Sequence, residues 1–452
     1  MFNRSILIAF ALTFSSICLL GQPDTYQNPI IPGFHPDPSI CRAGDDYYLV
    51  NSSFEWFPGV PIFHSKDLVN WERIGNVLDR PSQLDIGDNV GIFGGIWAPT
   101  IRYHEGTFYM ITTMQPGNHN FFVTSKDPKG PWSDPVWLKE APGIDPTIFF
   151  DDDGKTYYVG SYKPENPAWN EERHIFVQEL DLKEGKLLGE RIHISSGHAA
   201  NAKFCEGPHI YKRNGKYILL TAEGGTWENH AITAFSADAI TGPYTPLTTN
   251  PVLTHRHLGK SSSITSVGHA DLVETQNGEW WGVMLGVRPV EGPHYYLGRE
   301  TFMTPVEWEG ITPIFSPGKG RILEEDKRPD LPWTPLPKDP QRDEFNSNKL
   351  HPVYNFFHTP NKNWWSIDQN KGHLTLELQS KKTNDNSDFS LIARRQEQYS
   401  FEASLKMTFS PTKEAESAGI FYGQHAYAHF KLEVSMVKNQ QVVQLKKVYK
   451  NH

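Results

Sequence analysis

Cysteine is scarce. The 452-residue chain has three, and Cys18 lies in an apolar N-terminal run, so only Cys41 and Cys205 stand in its body. Two thiols cannot staple a chain of this length, and buried free thiols are the expectation. Basic residues are outnumbered, with 43 Lys and Arg against 52 Asp and Glu and a net charge of -9. That balance argues against binding to nucleic acid or to an anionic membrane surface. No glycine-rich phosphate loop is present, so no organic cofactor is implied. Apolar runs of any length are confined to the start, "MFNRSILIAFALTFSSICLLGQPDT", where Arg4 precedes the run and a small residue follows it. This pattern reads as a secretory signal peptide over residues 1–21, cleaved near Gly21, and implies export to the periplasm or the exterior. An uncleaved anchor is the competing reading, because the run is close to the shortest that spans a bilayer. A lipoprotein signal would need a small residue before Cys18, and Ile17 is not one.

Aromatic residues, by contrast, make up 13% of the chain, and 36 Gly and 34 Pro accompany them. That mixture suits many short strands joined by tight turns. A turn followed by an aromatic or apolar strand occurs five times: "GDDYYLVNSS", "EGTFYMITT", "DGKTYYVGSY", "NGKYILLTAEGG" and "NGEWWGVMLG". The turn glycines are Gly44, Gly106, Gly154, Gly215 and Gly278. Seven to nine residues before each turn stands a second element: "DPSI" at Asp37, "APTI" at Ala98, "DPTI" at Asp145, "EGPHI" at Glu206 and "HADLV" at His269. A third, seen in "SKDLVNW", "SKDPKGPW" and "SADAITGPY", closes at least three of the units. Five such antiparallel units predict an all-β chain whose first domain, residues 22–330, is a five-bladed β-propeller.

In a propeller the innermost strands surround one channel, so equivalent positions of distant repeats converge there. Asp37, Asp145 and Glu206 become neighbours, with Trp97 and His269 beside them. Carboxyls crowded in one pocket repel, and at least one should keep its proton near neutrality. A protonated acid facing an ionised carboxylate is what hydrolysis of a glycosidic bond requires. A metal site built from the same acids is the competing reading, but their spacing is not that of a compact ligand set.

The stretches "NPIIPGFHPDPSI", "FEWFPGVPIFHSKDLVNW", "GGIWAPTIRY", "GIDPTIFFDDDGKTYY", "EGPHIY", "GHADLV" and "YYLGRETF", in this order, resemble glycoside hydrolase family 43, the β-xylosidases and α-L-arabinofuranosidases. The resemblance implies an inverting mechanism, with Asp37 as general base, Glu206 as general acid and Asp145 orienting and tuning its partner. Phe54 and Trp97 match positions flanking the terminal sugar, and Arg299 matches a donor to its hydroxyls. His269 matches an axial histidine near a structural water or cation, so a structural calcium ion is a candidate there, though catalysis requires none. The expected substrate is a xylo-oligosaccharide or xylan fragment releasing terminal β-D-xylose. The α-L-arabinofuranosidase reading stays open, as does that of a non-catalytic carbohydrate-binding propeller. Lack of an "NDPNG"-like loop argues against a retaining fructan-type hydrolase.

Residues 331–345, "LPWTPLPKDPQRDEF", read as a proline-rich linker. Beyond them "HLTLELQS", "FSLIARRQ", "FEASLKMTF" and "HFKLEVSM" alternate apolar and polar, which predicts a β-sandwich over 346–452. The family's C-terminal domain is lectin-like and nearly twice as long. A sandwich this short should expose strand edges and apolar surface.

Overall fold

The computed structural model describes residues 22–449 apart from 88–89, 260, 293, 338–341, 361–362, 369–370, 381–388 and 426. The expected signal peptide lies outside the described residues.

Five antiparallel sheets follow one another along the chain, each a meander of four main strands. Their innermost strands are Ser39–Ala43, Gly95–His104, Ile144–Phe150, Glu206–Arg213 and Thr265–Glu274. These are the five blades of a β-propeller. All five turn glycines have positive φ, from 65° at Gly44 to 82° at Gly154. A Cβ at any of them would meet open space, so the turn's backbone rather than crowding demands glycine.

Blades stack face to face, which buries their central strands on both sides. Trp280–Val287 is buried at every position but its first. Five hydrophobic clusters result, one at each blade–blade interface. The cluster of Tyr26, Ile40, Tyr47, Leu49, Val283 and Met303 joins the last blade to the first. Closure is reinforced by the N-terminal segment, where Thr25–Gln27 pairs with Glu325–Lys327 and Ile31 bridges Thr301. The Tyr26 hydroxyl and Asn28 Nδ2 both donate to the Met303 carbonyl, at 2.7 and 2.9 Å.

Side chains from all five blades meet at the axis. Fully buried Asp271 of the fifth blade accepts from Ser39 Oγ of the first at 2.6 Å and from the Tyr211 hydroxyl of the fourth at 2.6 Å. Arg102 of the second blade grips it with two nitrogens, at 2.7 and 3.2 Å. The same guanidinium donates to Thr147 of the third blade at 3.3 Å and to His209 Nδ1 of the fourth at 2.8 Å. His209 can accept because burial, ahead of the Arg102 charge, pushes its pKa down to about 3 and keeps it neutral.

The C-terminal part is a partial sandwich. Asn355–Phe357 pairs with Ile392–Ala393 and with Trp56–Phe57 of the propeller, while Ser417–His425, Ala428–Val437 and Gln440–Tyr449 form a separate sheet. The stretch 401–409, which the alternation marks as a strand, is in no sheet. Its pattern is right, but among the described residues it has no pairing partner, and a strand exists only through its ladder. Exposed apolar surface is present as expected, with Val443, Leu445 and Tyr449 about 70% exposed (71, 69 and 68%).

Replacing Arg102 with Met is expected to cost about 3–5 kcal/mol, because Asp271 is left charged and buried without its partner. Denaturant titration should report this as a lower midpoint. Replacing Arg102 and Asp271 together with apolar residues should lose less than the single change does.

Candidate active site

Each innermost strand enters the channel through the same irregularity. Asp37, Ala98, Asp145, Gly207 and His269 all lie in the left-handed region, at φ of 53°, 35°, 54°, 58° and 55°. In the last four blades the ladder register slips at this point. In the first, Asp37 and Pro38 precede the first paired residue, Ser39. A bulge re-aims side chains, and left-handed backbone at residues other than glycine costs energy that active sites commonly store.

This geometry corrects one expectation. The repeat frame in the sequence sets Glu206 level with Asp37 and Asp145, yet the left-handed residue of the fourth blade is Gly207. Glu206 therefore stands one residue earlier, level with Trp97, Ile144 and Gly268. Aligning "GPHI" rather than "EGPH" with "DPSI" and "DPTI" would have found it. The other four blades carry residues with a Cβ at this position, so φ alone does not demand glycine at 207; a Cβ there would sit 3.0 Å from the His269 ring, and that crowding favours glycine.

Asp37 is placed by the closing segment, through a backbone hydrogen bond from His35 to the Arg299 carbonyl at 3.0 Å. Arg299 Nη1 then donates to Asp37 Oδ1 at 2.8 Å, and Ser52 Oγ donates to Oδ2 at 2.6 Å. Ser52 is itself fixed, since the Ala98 backbone N–H donates to its oxygen at 2.7 Å. Burial alone would raise the Asp37 pKa. Arg299, then His269 and the Ser52 bond, outweigh burial and hold it below the ordinary carboxylate range.

Asp145 and Glu206 are pushed the other way. For Glu206, burial is the largest cause and the Asp145 charge the next, and together they raise it to about 8. Asp145 is raised mainly by burial, with His269 and the Gly207 N–H, which donates to its Oδ2 at 3.0 Å, working against the shift. The Glu206 carboxyl makes no hydrogen bond among the described residues, so its proton is free to be given away. The pocket thus holds an ionised acid and a protonated one at neutral pH.

Of the four expected binding residues, Arg299 contacts Asp37 and His269 stands within electrostatic reach of it, while Phe54 faces the Arg299 guanidinium and Trp97 lies beside Phe54. The Arg299 guanidinium sits 5.5 Å from the centre of the Phe54 ring, which stacks on Phe34 and leans toward Trp97. Trp97 is oriented by its Nε1 donating to the Phe93 carbonyl at 2.6 Å. His269 lies over Gly207 within electrostatic reach of Asp37 and Asp145. Ser52, His230 and Arg173 were not foreseen. His230 lies against Gly268 and near Asp37, and burial pushes its pKa down to about 4. Ser52 could have been suspected only from its place beside Phe54, while His230 and Arg173 lie outside every repeated element. Among the described residues no group of three or more His, Cys, Asp and Glu side chains could hold a metal ion. The donors beside His269 do not by themselves form a calcium cage. Cys41 and Cys205 are buried and free, as expected.

A five-bladed propeller whose channel opposes an ionised carboxylate to a protonated one is the frame of an acid–base glycosidase. The chain belongs to family 43 of the glycosyl hydrolases, whose model matches residues 26–312, and a β-xylosidase C-terminal concanavalin A-like domain matches 342–452. It is 45% identical to a xylosidase/arabinosidase of Butyrivibrio fibrisolvens over 93% of this chain and 81% of that protein. It is 38% identical to a non-reducing end alpha-L-arabinofuranosidase of Bacteroides ovatus, over 99% of this chain and 82% of the relative. A crystal structure of a xylan beta-1,4-xylosidase from Bacillus halodurans superposes with a TM-score of 0.85 at 38% identity, covering 94% of this chain and 82% of that one. The chain is therefore an enzyme that hydrolyses O-glycosyl bonds.

The profile of kcat/KM against pH should be bell-shaped, with its basic limb near pH 8 where Glu206 loses its proton and its acidic limb below the ordinary carboxylate range. Ser52→Ala removes a bond that favours ionised Asp37. The acidic limb should then move upward by roughly one unit while the basic limb stays in place.

Proposed function

We propose that the chain is an inverting exo-glycosidase that releases terminal β-D-xylose from xylo-oligosaccharides or xylan fragments. The observation that carries this reading is the opposed protonation of Asp37 and Glu206 in one pocket. Asp37 accepts a proton from water as that water attacks the anomeric carbon, and Glu206 gives its proton to the departing oxygen. Asp145 remains close to both, holding the Glu206 proton by its charge. Arg299 keeps Asp37 ionised and offers its remaining N–H groups to sugar hydroxyls. The aromatic cluster of Phe34, Phe54, Phe93 and Trp97 gives the pocket a flat wall suited to the C–H face of a pentose.

A second reading, α-L-arabinofuranosidase, is favoured by the likeness to the Bacteroides ovatus alpha-L-arabinofuranosidase. Export is proposed from the N-terminal run alone, with an oligosaccharide or polysaccharide as partner and neither nucleic acid nor membrane. No helix among the described residues is long and apolar enough to cross a membrane.

Hydrolysis of nitrophenyl β-xyloside should exceed that of nitrophenyl α-arabinofuranoside, and a strong excess of the second would overturn the choice of sugar. Proton NMR of the first-formed sugar should reveal inverted configuration. Glu206→Gln should slow alkyl or natural glycosides far more than activated nitrophenyl ones, whereas Asp37→Asn should slow both alike. Chelation is expected to leave turnover and melting temperature unchanged. Loss of either, restored by calcium, would instead support an ion near His269.

A further inference from the structure

Arg173 is a second guanidinium at the site, and nothing in the protein occupies it. It lies just before the strand His174–Asp181 of the third blade, in a loop fastened to the segment that leads into Glu206. Trp169 Nε1 donates to the Ala202 carbonyl at 2.7 Å, and the Phe204 N–H donates to the Glu171 carbonyl at 2.9 Å. Glu172 steadies the loop from within through His174 Nε2 at 2.8 Å. These ties bring Arg173 into electrostatic reach of both Asp145 and Glu206. Yet Arg173 makes no hydrogen bond or ion pair among the described residues, and its Nε is buried with no acceptor.

The contrast with two other arginines of the propeller is informative. Arg299 is bonded to Asp37, and Arg288 holds Glu300 through two nitrogens at 2.7 and 2.8 Å. An arginine meant only to neutralise a carboxylate adopts such a contact. Arg173 instead stands off from the acid, which leaves the Glu206 proton in place and five N–H donors unspent. Phe204, whose N–H ties this loop, packs its ring on Trp227 at 5.7 Å, and Trp227 is 52% exposed. A large indole open to solvent, packed on a residue whose backbone is bonded to the loop that carries Arg173, is a surface that suits a sugar ring: aromatic against C–H groups, guanidinium against adjacent hydroxyls.

The side of the pocket follows from the two acids. Asp37 and Arg299 mark the side from which water attacks, and Glu206 marks the side of the departing oxygen. The loop that carries Arg173 is bonded to Ala202 and Phe204, directly before Glu206, whereas Asp37 is held by Arg299 and Ser52, so Arg173 belongs to the side of the departing oxygen. We propose that Arg173 is a specificity-determining residue that binds hydroxyls of the leaving-group sugar, on a shelf formed with Phe204 and Trp227. This rests on the acid and base assignment above.

The test compares the natural disaccharide or oligosaccharide with the nitrophenyl glycoside of the same pentose, whichever pentose the wild-type enzyme releases. Arg173→Met should lower kcat/KM about 10- to 100-fold on the natural substrate, and about threefold or less on the nitrophenyl glycoside, measured below the basic limb. Its basic limb should also move to higher pH, because the guanidinium that opposes the Glu206 proton is gone. The groups facing that proton would then be Asp145, Asp37, Arg299 and the neighbouring Cys205. Arg173→Lys should keep the basic limb where it is but recover only part of the natural-substrate rate, since an ammonium cannot span two hydroxyls. Equal losses on both substrates with an unmoved basic limb would reduce Arg173 to a structural part of the loop and overturn the proposal. Failure of the acid assignment would appear separately, as a Glu206→Gln variant indifferent to leaving group.

Discussion

The innermost strands of a propeller do not hydrogen-bond to one another, so the ring around the channel must be held by side chains. Here one carboxylate does most of that. Asp271 receives donors from the first, second and fourth blades, and through Arg102 the third is attached as well. An ion pair so deeply buried gains stability only if every remaining polar position is filled, which is why Ser39, Tyr211 and the backbone N–H groups of Ile40 and Leu272 complete the shell. The consequence for function is positional. Ser39, Thr147, His209 and Asp271 each lie two residues after the left-handed position of their blade. Clamping them together sets where Asp37, Asp145, Gly207 and His269 can stand.

The division of protonation rests on that placement. Three carboxyls share one buried pocket, and burial raises all of them; what separates them is the company each keeps. Asp37 has a guanidinium and a hydroxyl in contact. Asp145 has one backbone N–H, and Glu206 has no hydrogen bond among the described residues. The order of acidity is therefore written in contacts that belong to different blades: Ser52 and Arg299 for one acid, Gly207 for another.

Much of this was legible because the physical demand falls on residue type. A turn with positive φ calls for glycine, and five such glycines at blade spacing announce the repeat. Acids before proline at the channel entrance mark the bulge. What stayed hidden depends on partners distant in sequence. Ser52 is an ordinary serine until Ala98 and Asp37 are brought to either side of it, 46 and 15 residues away. The repeat frame read for Glu206 is displaced by one residue, because its acidity draws the alignment away from the proline that follows Gly207. The stretch 401–409 shows the opposite failure. Alternation reports which face of a segment can be buried, and it is silent on whether another strand is there to pair with it.

The second domain is joined to the propeller where the aromatic cluster of the pocket begins. Phe356 and Phe357 pair with Phe57 and Trp56, the His358 N–H donates to the Glu55 carbonyl at 3.0 Å, and Thr359 Oγ1 accepts from the Ile86 N–H at 2.9 Å. Glu55 follows Phe54 directly, and its carboxylate accepts from the Phe93 N–H at 3.3 Å. Phe93 in turn carries the carbonyl that orients Trp97. Burial pushes Glu55 up to about 7, so this support is strongest where Glu55 is ionised and weakens as it takes up a proton. A domain that makes no hydrogen bond to the three acids among the described residues can therefore still govern the aromatic wall, because each link from Phe356 to Trp97 is a hydrogen bond or a paired backbone whose loss the next link would feel.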